Sequence, residues 1–241
     1  MSSASTELWH LEIHPTTSEP VLRLPAPHDN IIITPPRTTD APFHVTLIND
    51  PSICPHIGGA YPHTLQDAQN LLERNITRSL DVLARLEGSD KTNTFINSSP
   101  VNSLREVRED GTDQYLGNIH IGRHRWIDIL DPERRDKLIA ENFAKLEGDP
   151  GIVWDIGDHI APSHQGRGIM TAAIQTIIEK WAIPRMNAHK FREVIQKDNQ
   201  ASVRVFQKNG FIVKEVVDDC IDIHESKGGG KVSVQVLEWV R

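Results

Sequence analysis

Disulfide pairs, membrane-length apolar runs and basic blocks are all missing from this 241-residue chain. Each absence removes a class of protein. Two cysteines, Cys54 and Cys220, cannot supply the multi-bridge framework of a small secreted domain. No apolar stretch approaches the roughly 18 residues that mark a membrane span. Net charge is −7 with no long run of Lys or Arg, which argues against a nucleic-acid surface as the chain's main business. Residues Met1 to Glu7 lack the basic start and apolar stretch of a secretory signal. The Asn75-Ile76-Thr77 and Asn97-Ser98-Ser99 sequons therefore read as chance, and the expected compartment is the reducing cytoplasm, with the nucleus also compatible. No internal repeat is visible. At 38% hydrophobic and 24% charged, the composition is that of a soluble globular protein, with length for one large domain or two small ones.

The most informative residues that are present run His164-Gln165-Gly166-Arg167-Gly168-Ile169-Met170-Thr171. They follow an apolar run, Ile152 to Ile156, and precede a helical pattern reaching Trp181. A glycine turn between a strand and a helix leaves backbone N–H groups unpaired at the positive end of the helix dipole, a site for an anion such as phosphate. Two nucleotide motifs fail here. A G-x-G-x-x-G fingerprint counted from Gly166 meets Thr171 at its third glycine, and a P-loop ending at Gly230-Lys231 has Val232 and Glu225 at required positions.

Periodicity and breakers outline the rest. Residues 1–27 read as an irregular N-terminal arm, and Ile31–Thr34 as a strand stopped by Pro35-Pro36. Thr38 to Leu47 reads as a first helix. A second runs from a Thr64 cap to Leu86, with Leu65, Ala68, Leu72, Ile76, Leu80 and Leu83 on its apolar face. Strands are expected within 94–109, over 114–122 and over 152–160. Residues 125–150, charged and helix-prone from Pro132 to Leu146, read as an insertion of unknown role. A helix over 168–181 turns Ile174, Ile177, Ile178 and Trp181 to the core, and Pro184 is expected to block its continuation. A strand at 191–196, a short helix in the 200s and a hairpin of 211–217 with 232–240 across Lys227–Gly230 complete an α/β or α+β mixed sheet.

Two motifs in order carry a family resemblance. Gln165-Gly166-Arg167-Gly168-Ile169-Met170 resembles the Q/R-x-x-G-x-G/A acyl-CoA motif of the GNAT N-acetyltransferase superfamily, with Met170 where the pattern has Gly or Ala. Downstream, Asn199 to Phe211 is similar to the N-x-x-S-x-x-(V/I)-x-(E/Q)-K-x-G-F stretch of the RimJ/RimL-like branch. Residues 152–213 carry the resemblance most specifically, within an N-acetyltransferase domain spanning 28–241. It implies a mostly antiparallel central sheet flanked by helices, acetyl-CoA as co-substrate, and an acceptor that is a protein N-terminus or a small amine. A homodimer is compatible with it; nucleic acid and membrane are not expected as partners.

The resemblance also implies roles. Backbone N–H groups of Gln165, Gly166, Arg167, Gly168, Ile169 and Met170, with the Thr171 hydroxyl, would hold the pyrophosphate. Arg167 adds charge there or is simply solvated. Backbone around Asp158, His159 and Ile160 would orient the thioester arm and its oxyanion. Asn199 contacts that arm or only caps its helix. Ser202 is the candidate acid toward the thiolate or a helix-start serine. Asp155 and His159 are rival bases for the amine. His120 and His124 alternate on a strand with no accompanying ligand spacing, so no metal is expected. The alternative to an enzyme is a non-catalytic acyl-CoA-binding module of the same fold.

Overall fold

The computed structural model describes residues 7, 8, 10–88 and 94–241. Among them ten strands form one sheet: β1 (Glu7–Leu8), β2 (Leu11–Ile13), β3 (Pro20–Arg23), β4 (Ile31–Thr34), β5 (Ser103–Val107), β6 (Asp113–Arg123), β7 (Val153–Ile160), β8 (Lys190–Gln196), β9 (Ile212–Asp222) and β10 (Lys231–Val240). Their spatial order is β1-β2-β3-β4-β5-β6-β7-β8-β10-β9. Neighbours run antiparallel except β7 and β8, which are parallel. The mixed, mostly antiparallel sheet expected from the sequence is the one that forms. No helix among the described residues is long and apolar enough to cross a membrane.

Six helices accompany the sheet: α1 (Ala41–Ile48), α2 (Leu65–Gly88), α3 (Pro132–Ala144), α4 (Ile169–Ile177), α5 (Ile183–Met186) and α6 (Gln200–Lys208). Helix α4 lays Ile169, Ala173, Ile174 and Ile177 into the main core with Trp154, Ile156 and Ile160 of β7. Helix α1 lies on the other face, where the His44 ring meets that of His159 with centroids 5.2 Å apart. Alternation along β7 follows: Trp154, Ile156 and Ile160 face α4, and Asp155 and His159 face away.

Three expectations are corrected. Part of the irregular arm, residues 11–13 and 20–23, is strand, and Leu11, Leu22 and Leu24 enter the main core. Period-two burial was hidden there by short strands and flanking prolines. The buried stripe of α2 runs through Ala68, Leu72, Ser79, Val82 and Leu86, leaving Leu65 and Leu80 46% and 60% exposed. A polar residue takes the core position because Ser79 Oγ donates to Pro100 O at 2.7 Å, and sequence periodicity counted only apolar residues. Pro184 does not end the helix after Trp181. Residues 178–182 widen into a π turn in which Ile183 N–H bonds Ile178 O, and Pro184 then sits in the first turn of α5, where its missing N–H has no role. The stop comes at Asn187, in the left-handed region with φ 50°.

Helix α3, within the 125–150 stretch, joins the sheet through Asn142 and through Arg123 of β6, which donates to Asn142 O and Lys145 O. Asn142 is fully buried, accepts from Val153 N at 2.9 Å and donates to Val153 O at 2.8 Å. It thereby satisfies the backbone groups at the head of β7, beside the site.

Candidate active site

Strands β7 and β8 pair only at Val153↔Lys190 and Trp154↔Phe191, then separate. Separation leaves backbone groups without a ladder. Ala161 N donates to Leu116 O at 2.7 Å and Val153 O accepts from His124 N at 3.0 Å, so odd-numbered residues of β7 turn their peptide groups toward β6. Ile156, Asp158 and Ile160 must then turn theirs into the gap facing β8. The gap opens into a cavity of about 650 Å³ lined by the end of β7, Gln165, Gly166 and residues 168–171, β8, α6, the loop 52–59 and the end of β9.

At one end lies the glycine turn. Gly166 and Gly168 both have positive φ, 72° and 83°, and Gly168 is the residue before α4. A side chain there would be strained, and at Gly166 nothing lies within 4 Å of where a Cβ would project. The N–H groups of Ile169, Met170 and Thr171 in the first helical turn have no earlier helical carbonyl to meet. Gln165 folds back, its Nε2 donating to Ile160 O at 3.2 Å. Met170, the departure from the family pattern, is 6% exposed and belongs to the core beneath α4. It also borders the cavity, so its side chain is shared between that core and the cavity wall. Arg167 is exposed.

Helix α6 brings the second motif to the same cavity. Asn199 Oδ1 caps it, accepting from Ser202 N at 3.1 Å, and both residues line the cavity. Phe206 is core, at 1% exposure. Asn209 Nδ2 donates to Thr171 O at 3.3 Å, tying the end of α6 to the start of α4.

The family model of the acetyltransferase (GNAT) domain matches residues 30–212, about three quarters of the chain. The chain belongs to the GNAT acetyltransferase family. Solved structures share its fold. A GNAT-family acetyltransferase from Bacillus anthracis is 14% identical with a TM-score of 0.59, over 91% of this chain and 98% of that one. RimL, a ribosomal L7/L12 α-N-protein acetyltransferase, is 12% identical with a TM-score of 0.59, over 96% and 99%. The microcin C7 self-immunity acetyltransferase, solved with acetyl-CoA and AMP, is 17% identical with a TM-score of 0.54, over 88% and 93%. No curated protein sequence matches the chain.

Within this GNAT cleft the titratable groups sort by face. His159 lines the cavity, but burial together with the neighbouring imidazoles of His44 and His120 drives it down to about 3. It stays neutral through the physiological range. Asp155 is not among the cavity-lining residues; its carboxylate sits 31% exposed on the face away from α4, with Oδ2 3.6 Å from His124 Nδ1. Asp158 lines the cavity, and burial pushes its carboxyl up to about 7.

Sequence reasoning missed Glu193. It stands on β8, 4% exposed, and its Oε1 accepts from Ile156 N at 2.9 Å across the gap. Its signal was available only as a lone acidic residue in the apolar alternation Phe191, Glu193, Ile195. Also missed was the far end of the cavity. There Lys227 Nζ donates to Cys54 O at 3.0 Å and Ile57 O at 2.5 Å. Gln196 Nε2 donates to Pro55 O at 3.0 Å. These bonds bind the loop 52–59 to β8 and to the hairpin of β9 and β10.

Proposed function

We propose that this acetyltransferase moves the acetyl group of acetyl-CoA to a primary amine, on a protein N-terminus or on a small molecule. The observation that carries this reading is the joining, in one cavity, of a left-handed glycine turn at a helix start with the unladdered edge of β7. The turn suits a pyrophosphate through the backbone of Gln165 to Met170 and the Thr171 hydroxyl. Arg167, with Arg204 and Lys208 on α6, adds positive charge at that end. The edge suits an extended amide arm, since Asp158 and Ile160 offer N–H and C=O groups in strand spacing. Bound acetyl-CoA would supply an activated thioester carbonyl, and the Asp158 N–H is the donor best aimed at its developing oxyanion. Asn199 and Ser202 border the same arm from α6.

With the donor held on the α4 side, the amine enters from the opposite face. An ammonium has no lone pair, so it must first lose a proton. Neutral His159 holds a proton too weakly to serve near pH 7. Asp155, next to His124 on the entry face, is the group we assign that task, directly or through a water.

A thermal-shift titration tests cofactor binding. Acetyl-CoA at about 100 times its Kd should stabilise the protein by about 2.7 kcal/mol, and no shift at millimolar concentration would sink the reading. Thiol release from acetyl-CoA, measured with short peptides bearing free N-termini and with spermidine, tests the acceptor. A blank across both, with binding intact, would leave an acyl-CoA-binding module.

A further inference from the structure

We propose that Glu193 is the proton donor to the thiolate that leaves during acetyl transfer. The assignment rests on the acetyl-CoA reading of the cleft. Its geometry is specific. The first peptide of β7 freed by the strand separation is Ile156 N–H, and Glu193 Oε1 accepts it at 2.9 Å. The Glu193 carboxyl therefore lies in the gap itself, where the sheet can be crossed and where a thioester laid along β7 meets an amine from the other face. It lines the cavity although the residue is 4% exposed.

The surroundings favour the protonated form. Burial is the main cause and the charges of Asp155 and Asp158 on β7 add to it; together they hold Glu193 well above the ordinary carboxyl range against the opposing Ile156 hydrogen bond. Cations line the cavity elsewhere: Arg204 and Lys208 on α6, and Lys227, whose ammonium is bound to the loop 52–59. Asp155 and Glu193 thus place two carboxyl groups in different settings, one partly exposed on the entry face and one buried in the gap. In the step, the amine nitrogen forms its bond to the thioester carbon and the C–S bond breaks. The Glu193 O–H bond then breaks as an S–H bond forms. Asp155 gives the proton it took from the ammonium to solvent. The second proton, shed by the nitrogen as the amide forms, passes through Asp155 and water to the Glu193 carboxylate, so base and acid are both restored each turnover. A carboxylic acid is a far stronger proton source than the Ser202 hydroxyl.

Glu193→Gln is the diagnostic change, because its amide oxygen can still accept from Ile156 N–H and it has no acidic proton. With acetyl-CoA and the peptide and spermidine panel, kcat should fall about 100-fold, within the usual range for a lost acid. Acetyl-CoA affinity should stay within about threefold. Replacing acetyl-CoA with S-acetyl-4-nitrothiophenol, whose thiolate leaves without a proton, should erase most of the difference between variant and parent. Ser202→Ala should cost less than Glu193→Gln. A Glu193→Gln enzyme with parental kcat, or the reverse order of the two variants, would overturn the proposal. Carbon-13 NMR of side-chain-labelled glutamate in the parent protein, assigned with the variant, needs no acceptor: Glu193 should be protonated near pH 7, and an ionised Glu193 overturns the assignment. If the parent turns over no amine in the panel, the acceptor reading fails while the NMR result still decides the proton.

Discussion

At the α4 end of the cleft, every group that can meet an anion through its backbone comes from seven consecutive residues, Gln165 to Thr171. At the other end the cavity is closed by the loop 52–59, Ile127 and residues 221–227, segments that lie far apart in the chain. The first end is a local device, needing only a strand, two left-handed glycines and a helix start. The second is an assembly, held by Lys227 and Gln196 reaching backbone carbonyls of a distant loop. A local device is read by pattern. An assembly exists only when the chain has folded.

The comparison can be broken most severely at Gly168. Gly168→Asp puts a carboxylate at φ 83°, against the expected phosphates and near His28 Nε2, which lies 3.6 Å from a Cβ there. Acetyl-CoA affinity should drop at least about 100-fold by isothermal titration, from charge repulsion and strain together. Unchanged affinity would refute the phosphate assignment. Met170→Ala should instead separate stability from binding. The side chain is core, so truncation should cost about 2–5 kcal/mol in urea unfolding while the acetyl-CoA Kd stays unaltered. A binding change without a stability change would mean that Met170 meets the cofactor after all.

Lys227→Ala addresses the assembled end. Freed of its clamp, the loop 52–59 should be cleaved by protease about tenfold faster, since local opening costs less once those bonds are gone. Cofactor affinity should not move. Cleavage at the parental rate would show that Gln196, which bonds Pro55 O and the His56 ring, holds the loop without Lys227. A smaller effect concerns the strands at the chain's beginning. Arg37 ties Glu19, before β3, to Asp113 of β6. Burial alone would raise both carboxyls, but the Arg37 hydrogen bonds and charge win and hold Glu19 and Asp113 below their usual range. Groups depressed on folding contribute stability above their unfolded values and lose it as pH falls through the folded ones. Protection of the β3 amides from hydrogen exchange should therefore weaken below about pH 4, and less so in Arg37→Met. Equal acid sensitivity in that variant would remove the network from the account.

Much of the fold was legible. Ile31–Thr34 is the strand its β-branched run predicts, and α6 is capped by Asn199 as its sequence allows. Ile174, Ile177, Ile178 and Trp181 are buried as their spacing requires. What failed had more than one physical cause, a distant contact in one place and a local rearrangement in another. Ser79 entered the α2 stripe because Pro100 offered a carbonyl, and Pro184 was absorbed by a π turn. The site divided the same way. The glycine turn at 165–171 was readable, while Asp155 and His159 could be named but not assigned to a face.

By itself, then, the sequence determined the family, the glycine turn before α4 and most of the elements after residue 30, because each depends on neighbours within a few residues. Only the tertiary structure decided that β7 and β8 part after Trp154 and Phe191, that Glu193 fills the gap, and that a distant loop closes the far end of the cavity. Those outcomes depend on how strand partners diverge and which far segments meet, and no local pattern encodes either.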